Sequence, residues 1–429
     1  MPLNSHYLQL FTNRRVTAVL LLGFASGLPL ALTGSTLQAW FTVSGVDIVT
    51  IGFLGLVGQP YVYKFLWAPL MDRFVPPLMG RRRGWILVTQ LALLLTILLM
   101  SGQNPAQEPL LIGLIALTVA FLSASQDIAI DAYRADVLRP EERGLGAAMS
   151  VGGYRIAMLV SGGLALILAD QIGWQETYLI MAGLMGVGML ATWIGPEPER
   201  PAAVPPSMVA AVVEPLREFL SRRGALALLL LIILYKLGDA FAGTLSTAFL
   251  IRGAGFSPTD VGAINKGVGL FATLFGVFAG GTLLIRLGLF RSLLLFGALQ
   301  AVTNLAFMVL AAVGKSYPIM VSAIFLENLA GGMGTAAFVA LLMALCDHRY
   351  TATQFALLSA LAAVGRVFVG PAAGYLVEAV GWFQFFFWTF IAALPGLLLL
   401  LALREQLESS TRDGATPDAI PVPNARPAK

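Results

Sequence analysis

The chain carries little charge: Asp, Glu, Lys and Arg make up 12% of its 429 residues, where a soluble domain holds roughly a quarter. That deficit excludes a string of ordinary soluble domains, although the length alone points to about three of them. Cysteine occurs once, at Cys346, which rules out an intramolecular disulfide framework. The two histidines, His6 and His348, lie far apart, and neither HExxH nor CxxC occurs. The usual metal-site patterns are therefore missing, and no metal or cofactor is expected. Basic residues exceed acidic ones by a net charge of only +4 and are not gathered on an amphipathic module, so nucleic acid is not an expected partner. No nucleophile–base set stands out, which argues against an enzyme.

Apolar length is what the chain has in abundance. The residues AVILMFWYC reach 58%, and runs near the roughly 20 residues needed to cross a bilayer recur along the chain. Twelve spans are predicted, at 16–40, 51–71, 84–102, 110–133, 146–169, 176–195, 225–251, 259–285, 290–312, 317–345, 353–377 and 382–403. Arg14-Arg15 before the first run resembles the charged start of a signal peptide, but no small-residue cleavage site follows, so a retained first span is expected. Of 27 Lys and Arg, two (Arg252 and Lys315) fall in odd-numbered connections and five (Lys64, Arg155, Lys236, Lys266, Arg366) well inside spans. The other twenty lie in the termini, in even-numbered connections or, for Arg291, one residue inside the even-side edge of 290–312, which places both termini and Arg81-Arg82-Arg83 in the cytoplasm. Acids occupy the odd-numbered side, among them Asp47, Asp170 and Asp260.

Residues 196–224 interrupt the pattern with six prolines and several charges, and 209–223 read as a short amphipathic surface helix. The stretch after Arg404 is polar and proline-bearing, the composition of a disordered tail. Around the linker the halves repeat weakly. Ile51-Gly52 recurs as Val261-Gly262, and Gly162 with Gly173-Trp174 recurs as Gly370 with Gly381-Trp382. The expected fold is an all-α membrane protein of twelve transmembrane helices in two six-helix bundles, the layout of the major facilitator architecture. Its divisions are 1–195 and 225–403 for the bundles, 196–224 for a cytoplasmic linker and 404–429 for the tail.

Charges inside a membrane cost about 2.5–3.5 kcal/mol each even on insertion scales, and so mark function. Asp127 and Asp131 in Ser123-Ala-Ser-Gln-Asp-Ile-Ala-Ile-Asp-Ala-Tyr-Arg134 share one helix face. They are the expected proton carriers, with Glu327 as the carboxylate nearest mid-membrane in the second half. Asp131 with Arg134 also reads as a plain ion pair, and Glu327 as a partner for Lys236, Lys266 or Arg366. Arg155 is placed to neutralise Asp127, and Lys236 to pair with Asp239. Substrate contacts are expected from Gln38, Gln59, Gln126, Arg155, Tyr235, Lys236, Asp239, Asn265, Lys266, Asn328 and Arg366. Pro29 is expected to kink or soften the first helix, and Gly331-Gly-Met-Gly334 reads as a flexible stretch beside Glu327-Asn328. Lys64, Arg155, Lys236, Lys266 and Arg366 against Asp127, Asp131, Asp239 and Glu327 leave a slightly cationic cavity, suited to a polar, anionic, sugar- or peptide-like solute.

The run Asp72 to Arg83 resembles the loop between helices 2 and 3 of facilitators, with its spacing altered by Pro76-Pro77. Asp72, Arg73 and Arg81 are thus expected at a cytoplasmic gate, plain positive-inside topology being the other reading. Gly23-Phe-Ala-Ser-Gly-Leu-Pro29, Lys64-Phe-Leu-Trp-Ala-Pro-Leu-Met-Asp72, Gly80-Arg-Arg-Arg-Gly-Trp85, Ser123-Ala-Ser-Gln-Asp-Ile128, Leu234-Tyr-Lys-Leu-Gly-Asp-Ala240, Phe325-Leu-Glu-Asn-Leu329 and Thr353-Gln-Phe-Ala-Leu-Leu-Ser-Ala-Leu361 together resemble the bacterial AmpG muropeptide permeases. The resemblance runs through nearly all of 7–403. It implies a multi-pass inner-membrane permease that imports N-acetylglucosaminyl-1,6-anhydro-N-acetylmuramic acid, with or without peptide, by proton symport. Such a permease serves cell-wall recycling and, through the recycled products, β-lactamase induction and antibiotic resistance. The partners implied are the anhydromuropeptide, protons and the lipid bilayer, and a monomer is expected. Some members carry further hydrophobic segments at the C-terminus, whereas the residues after Arg404 here are polar. A related facilitator for another anionic solute, an acyl-CoA or a sugar, is the nearest alternative, and a membrane-embedded ligand sensor is the next.

Overall fold

The structure, a computed structural model, describes residues 13–139, 142–197, 216–222, 224–346 and 351–407. In chain order its helical legs are α1 (Arg14–Val43), α2 (48–73), α3 (Arg81–Ser101), α4 (Pro109–Val137), α5 (Leu145–Ile172) and α6 (Trp174–Ile194). They continue as α7 (Ala225–Gly253), α8 (Pro258–Leu287), α9 (Leu289–Val313), α10 (Tyr317–Ala344), α11 (351–380) and α12 (382–402). The last two form one run broken only at Gly381, whose φ of 75° and ψ of 171° reverse the chain. Among the described residues ten helices are long and apolar enough to cross a membrane, the run 357–402 counting once.

The leg at 48–73 is not among the ten. Where the sequence predicts one continuous span at 51–71, short α-helical and 3₁₀ pieces follow one another. Gly52, Gly55 and Gly58 lower helix propensity, and Pro60 removes a backbone donor. The glycines serve packing instead. A Cβ at Gly52 would lie 2.5 Å from Gly370 O on α11, and one at Gly370 would lie 2.2 Å from Gly52 O. Small residues at such crossings let backbones meet without side chains between them.

Turns after odd-numbered legs gather on one face of the molecule, here the odd face, and those after even-numbered legs on the opposite, even face. The hydrogen bonds that join residues 13–197 to residues 225–402 lie toward the odd face. Arg252 donates to Thr42 O at 2.8 Å, and Thr259 donates its hydroxyl to Asp170 Oδ2 at 2.6 Å. Toward the even face the basic loop bonds within the first segment: Arg82 pairs with Asp136 at 2.9 Å, while Arg83 meets Glu197 at 3.4 Å and Thr192 O at 2.9 Å. Of the linker, 216–221 are helical, and Glu218 and Arg222 tie this piece to Gln354 and Leu345. The rest of the predicted linker helix and the tail beyond 407 lie outside the described residues.

Pro29 lies inside α1. The helix runs on to Thr33 and is interrupted at Gly34, with φ −104° and ψ −109°. Proline has no N–H, so the carbonyl four residues earlier, at Ala25, loses its helical donor. Gln126 Nε2 on α4 supplies one at 2.9 Å, and Gln126 is fully buried. Gln126→Leu is expected to lower stability in detergent by about 1–3 kcal/mol, the cost of an orphaned buried carbonyl. Adding Pro29→Ala restores the missing N–H and should recover most of that loss. A Gln126→Leu protein that melts like its parent contradicts this account.

Candidate functional site

The charges expected to matter form two clusters, one in each segment. In the first, α4 presents Asp127 and Asp131 one turn apart. Asp127 is half-buried and accepts the Ser26 hydroxyl of α1 at 2.5 Å. Asp131, one turn nearer the even face, is 55% exposed. Arg134 donates to it at 3.1 Å and Lys64 of α2 approaches to 4.0 Å. The ion-pair reading of Asp131 and Arg134 is thus realised, and Arg134 also donates to Ser150 at 3.1 Å. Pairs this exposed contribute little stability; their effect is to aim the side chains. Trp67 Nε1 donates to Ser125 at 3.0 Å and closes the cluster. Arg155 departs from its expected place: it is exposed on α5, and among the described residues it forms no ion pair with Asp127. Lys64 is the cation acting most strongly on that acid.

The second cluster is built on an interruption of α7. Lys236 has φ −97° and ψ 0°, between the helical pieces Ala225–Tyr235 and Leu237–Thr244. Its ammonium lies 3.4 Å from Asp239 Oδ2, 3.5 Å from Gln300 Oε1 and 3.5 Å from Thr335 Oγ1. Glu327 on α10 accepts Asn328 Nδ2 at 2.8 Å and stands within electrostatic range of Asp239, Lys236 and Lys266. Among the described residues it has no ion pair. Asn328 is held in turn by Thr273 at 3.1 Å. Lys266 and the half-buried Asn265 belong to a π-helical stretch, Val261–Val268, which faces the π-helical Val160–Leu164 of α5. Such stretches recur at functional sites. The Lys266 stem lies over Gly162 and Gly163, where added Cβ atoms would come within 3.3 and 3.2 Å of it. Arg366 is exposed on α11.

Three residues expected to contact substrate are engaged elsewhere. Gln126 caps Ala25. Tyr235 is buried, donates to Leu293 O at 2.9 Å and stacks on Phe338. Gln38, 8% exposed, donates to Thr244 O at 2.7 Å and accepts from Ala248 N at 3.2 Å. A continuous α-helix would join that carbonyl and that amide to each other, so Gln38 stands in for a missing rung of α7. Gln59 is half-buried at the start of the α2 piece Gln59–Tyr63. Of the expected gate, Arg73 is exposed and Arg81 half-buried, while the Asp72 side chain lies outside the described residues. Ser26, Gln300 and Thr335 are partners that sequence reasoning missed. Only Gln300 left a trace, as the first of two amides in the otherwise apolar stretch Leu299-Gln-Ala-Val-Thr-Asn304.

The chain matches the model of the Major Facilitator Superfamily over residues 16–353. It is 56% identical to the anhydromuropeptide permease of Escherichia coli K12 over 407 residues, which cover 95% of this chain and 83% of that one. It is 36% identical to the putative transporter AmpG 4 of Rickettsia felis, over 93% of this chain and 99% of the relative. Among solved structures, the nucleoside transporter NupG (D323A mutant) superposes with a TM-score of 0.69 at 14% identity, covering 91% of this chain and all of the other. A POT family transporter in complex with a thioalcohol-conjugated peptide gives 0.68 at 12%, covering 91% and 96%. Identities this low speak for the fold alone. The chain belongs to the major facilitator superfamily and, within it, to the AmpG permeases, multi-pass transporters of the bacterial inner membrane.

Proposed function

We propose that this permease carries anhydromuropeptides, N-acetylglucosaminyl-1,6-anhydro-N-acetylmuramic acid with or without its peptide, from periplasm to cytoplasm by proton symport, for cell-wall recycling. The observation that carries the reading is the 56% identity to the E. coli anhydromuropeptide permease across 95% of the chain. The chain crosses the membrane twelve times with both termini cytoplasmic, so the odd face is periplasmic and the even face cytoplasmic. Residues 1–195 and 225–403 are the moving bundles, 196–224 the linker and 404–429 the tail, and the unit is a monomer.

Asp127 takes the proton. Among the described residues its one hydrogen-bond partner is the Ser26 hydroxyl, a neutral group, so protonation removes a poorly compensated charge before the cavity changes sides. Asp131, tethered to Arg134 and Lys64, and Glu327, set among Asp239, Lys236 and Lys266, share the proton's path. Muramyl or peptide carboxylates meet Lys236, Lys266, Arg155 and Arg366. Asn265, Asn328, Asp239 and Gln59 offer hydrogen bonds to sugar and peptide groups. Moving one charge through 100 mV supplies about 2.3 kcal/mol, enough for roughly fiftyfold accumulation.

Labelled disaccharide uptake into inside-negative vesicles, with and without an imposed pH gradient, tests this. Gradient-driven accumulation should fall at least about tenfold in Asp127→Asn, while solute binding is kept. Accumulation by Asp127→Asn that an uncoupler still collapses would sink the assignment. Lys236→Gln should raise KM about tenfold, equivalent to about 1.4 kcal/mol of lost attraction. Acyl-CoA and simple sugars added as competitors should leave uptake unchanged; strong competition by either replaces the muropeptide as solute.

A further inference from the structure

Gly334 on α10 has a neighbour, the Gln300 side chain, that would have to move to admit any larger residue. A Cβ built there falls 1.3 Å from Gln300 Nε2 and 2.6 Å from its Cδ. The Gln300 side chain thus crosses α10 through the space that the missing Cβ leaves. From that crossing Nε2 donates to Ala330 O at 3.3 Å, and Oε1 accepts from the Lys236 ammonium at 3.5 Å. Thr335, the next residue after Gly334, is another acceptor for the same ammonium. The stretch that reads as flexible in sequence is in fact inside an unbroken helix, Tyr317–Ala344. Gly332 belongs to the packing too: a Cβ there would sit 2.4 Å from Thr273 O on α8.

The α9 face that carries Gln300 is fitted to the α7 interruption along its length. Gly297, three residues earlier, lets the Tyr235 ring approach, since a Cβ would come 3.0 Å from Tyr235 Cε2. Asn304, four residues later, donates to Gly238 O at 3.4 Å. Positions 297, 300 and 304 fall on one side of a helix, and that side clasps residues 235–239. Gln300 is 5% exposed and Asn304 1%; amides buried at membrane depth are costly unless their partners are built in.

We infer that Gln300 is a positioning residue that aims the Lys236 ammonium into the space between the two segments, and that position 334 is glycine so that the Gln300 amide can pass. The inference rests on the proposed role of Lys236 as anchor for an anionic group of the substrate. An amide suits the task because it orients the ammonium without cancelling its charge. With Asp239 as the only carboxylate bonded to it among the described residues, Lys236 keeps capacity for an incoming anion; a second carboxylate at position 300 would take that capacity away.

The test uses the full-length chain in vesicles and reads KM and maximal rate for labelled anhydromuropeptide, with thermal melting of the purified protein alongside. Gln300→Leu should raise KM about tenfold at near-parental maximal rate, and Gln300→Glu should raise it further. Gly334→Ala should match the Gln300→Leu effect, yet add nothing to Gln300→Ala, whose shortened side chain no longer occupies the crossing. The same non-additivity should appear in the melting temperatures, and a Gly334→Ala chain that fails to assemble should be restored by Gln300→Ala. Parental KM in Gln300→Leu, or additive effects at 300 and 334, overturn the inference. Parental KM in Lys236→Gln overturns the anchor reading beneath it, while non-additive melting would still place the Gln300 amide at Gly334.

Discussion

Every polar group between the two membrane faces has to find its partner inside the protein, because lipid offers none. Much of this structure is the consequence. At two places where a helix loses a rung, a side chain from another helix replaces it. Pro29 removes a donor from α1, and Gln126 of α4 supplies one to Ala25. The α7 ladder opens between Thr244 and Ala248, and the Gln38 amide of α1 bridges both ends. Asn304 of α9 reaches Gly238 beside the other opening of α7. Irregular backbone is tolerated at these places only because its cost is met locally, and the residues that meet it are spread over three helices.

The two repairs of α7 differ in one respect that bears on transport. Asn304 and Gln300 come from the same segment as α7 and stay with it through any rocking of one segment against the other. Gln38 comes from the opposite segment. Parting the odd face therefore breaks two hydrogen bonds to backbone groups that cannot re-form a rung without α7 straightening. Thr42 loses its Arg252 donor in the same movement, and Asp170 loses the Thr259 hydroxyl. The closed odd face is thus held by a handful of polar contacts laid over glycine crossings such as Gly52 on Gly370. Net hydrogen bonds are worth about 0.5–1.5 kcal/mol each, a strength that holds a state yet leaves it reversible.

How far the sequence reveals all this follows from what each feature depends on. Spans are legible because their cause, a run of apolar residues, is local. The pairing of Asp131 with Arg134 and of Lys236 with Asp239 is legible because both are three residues apart on one helix. The partners of Gln38, Gln126 and Gln300 are not, since they lie 206, 101 and 64 residues away. Periodicity says which face a residue is on, never what stands opposite. Gln126 and Gln38 accordingly look like cavity residues until the backbone gaps they fill are seen. Arg155 looks like a partner for Asp127 until α5 proves to leave it exposed, with no ion pair between the two among the described residues. The break-up of α2 had a local cause in its glycines and Pro60, but apolar content outweighs those residues when spans are counted by hydropathy.

The two charge clusters are unlike in a way that assigns them different work. The second surrounds an ammonium with an amide, a hydroxyl and a single bonded carboxylate, and Glu327 and Lys266 stand near without pairing. Such a set retains positive character and invites an anion. The first sets Asp127 against a hydroxyl, with Lys64 acting on it from a position 4.0 Å from Asp131. In the proposed mechanism a proton removes that buried charge. An anion entering beside Lys236 and a proton arriving at Asp127 each lower the charge burden of a closed cavity. Neither does so for the other's cluster, which is a physical reason for a carrier of this design to need both before it turns.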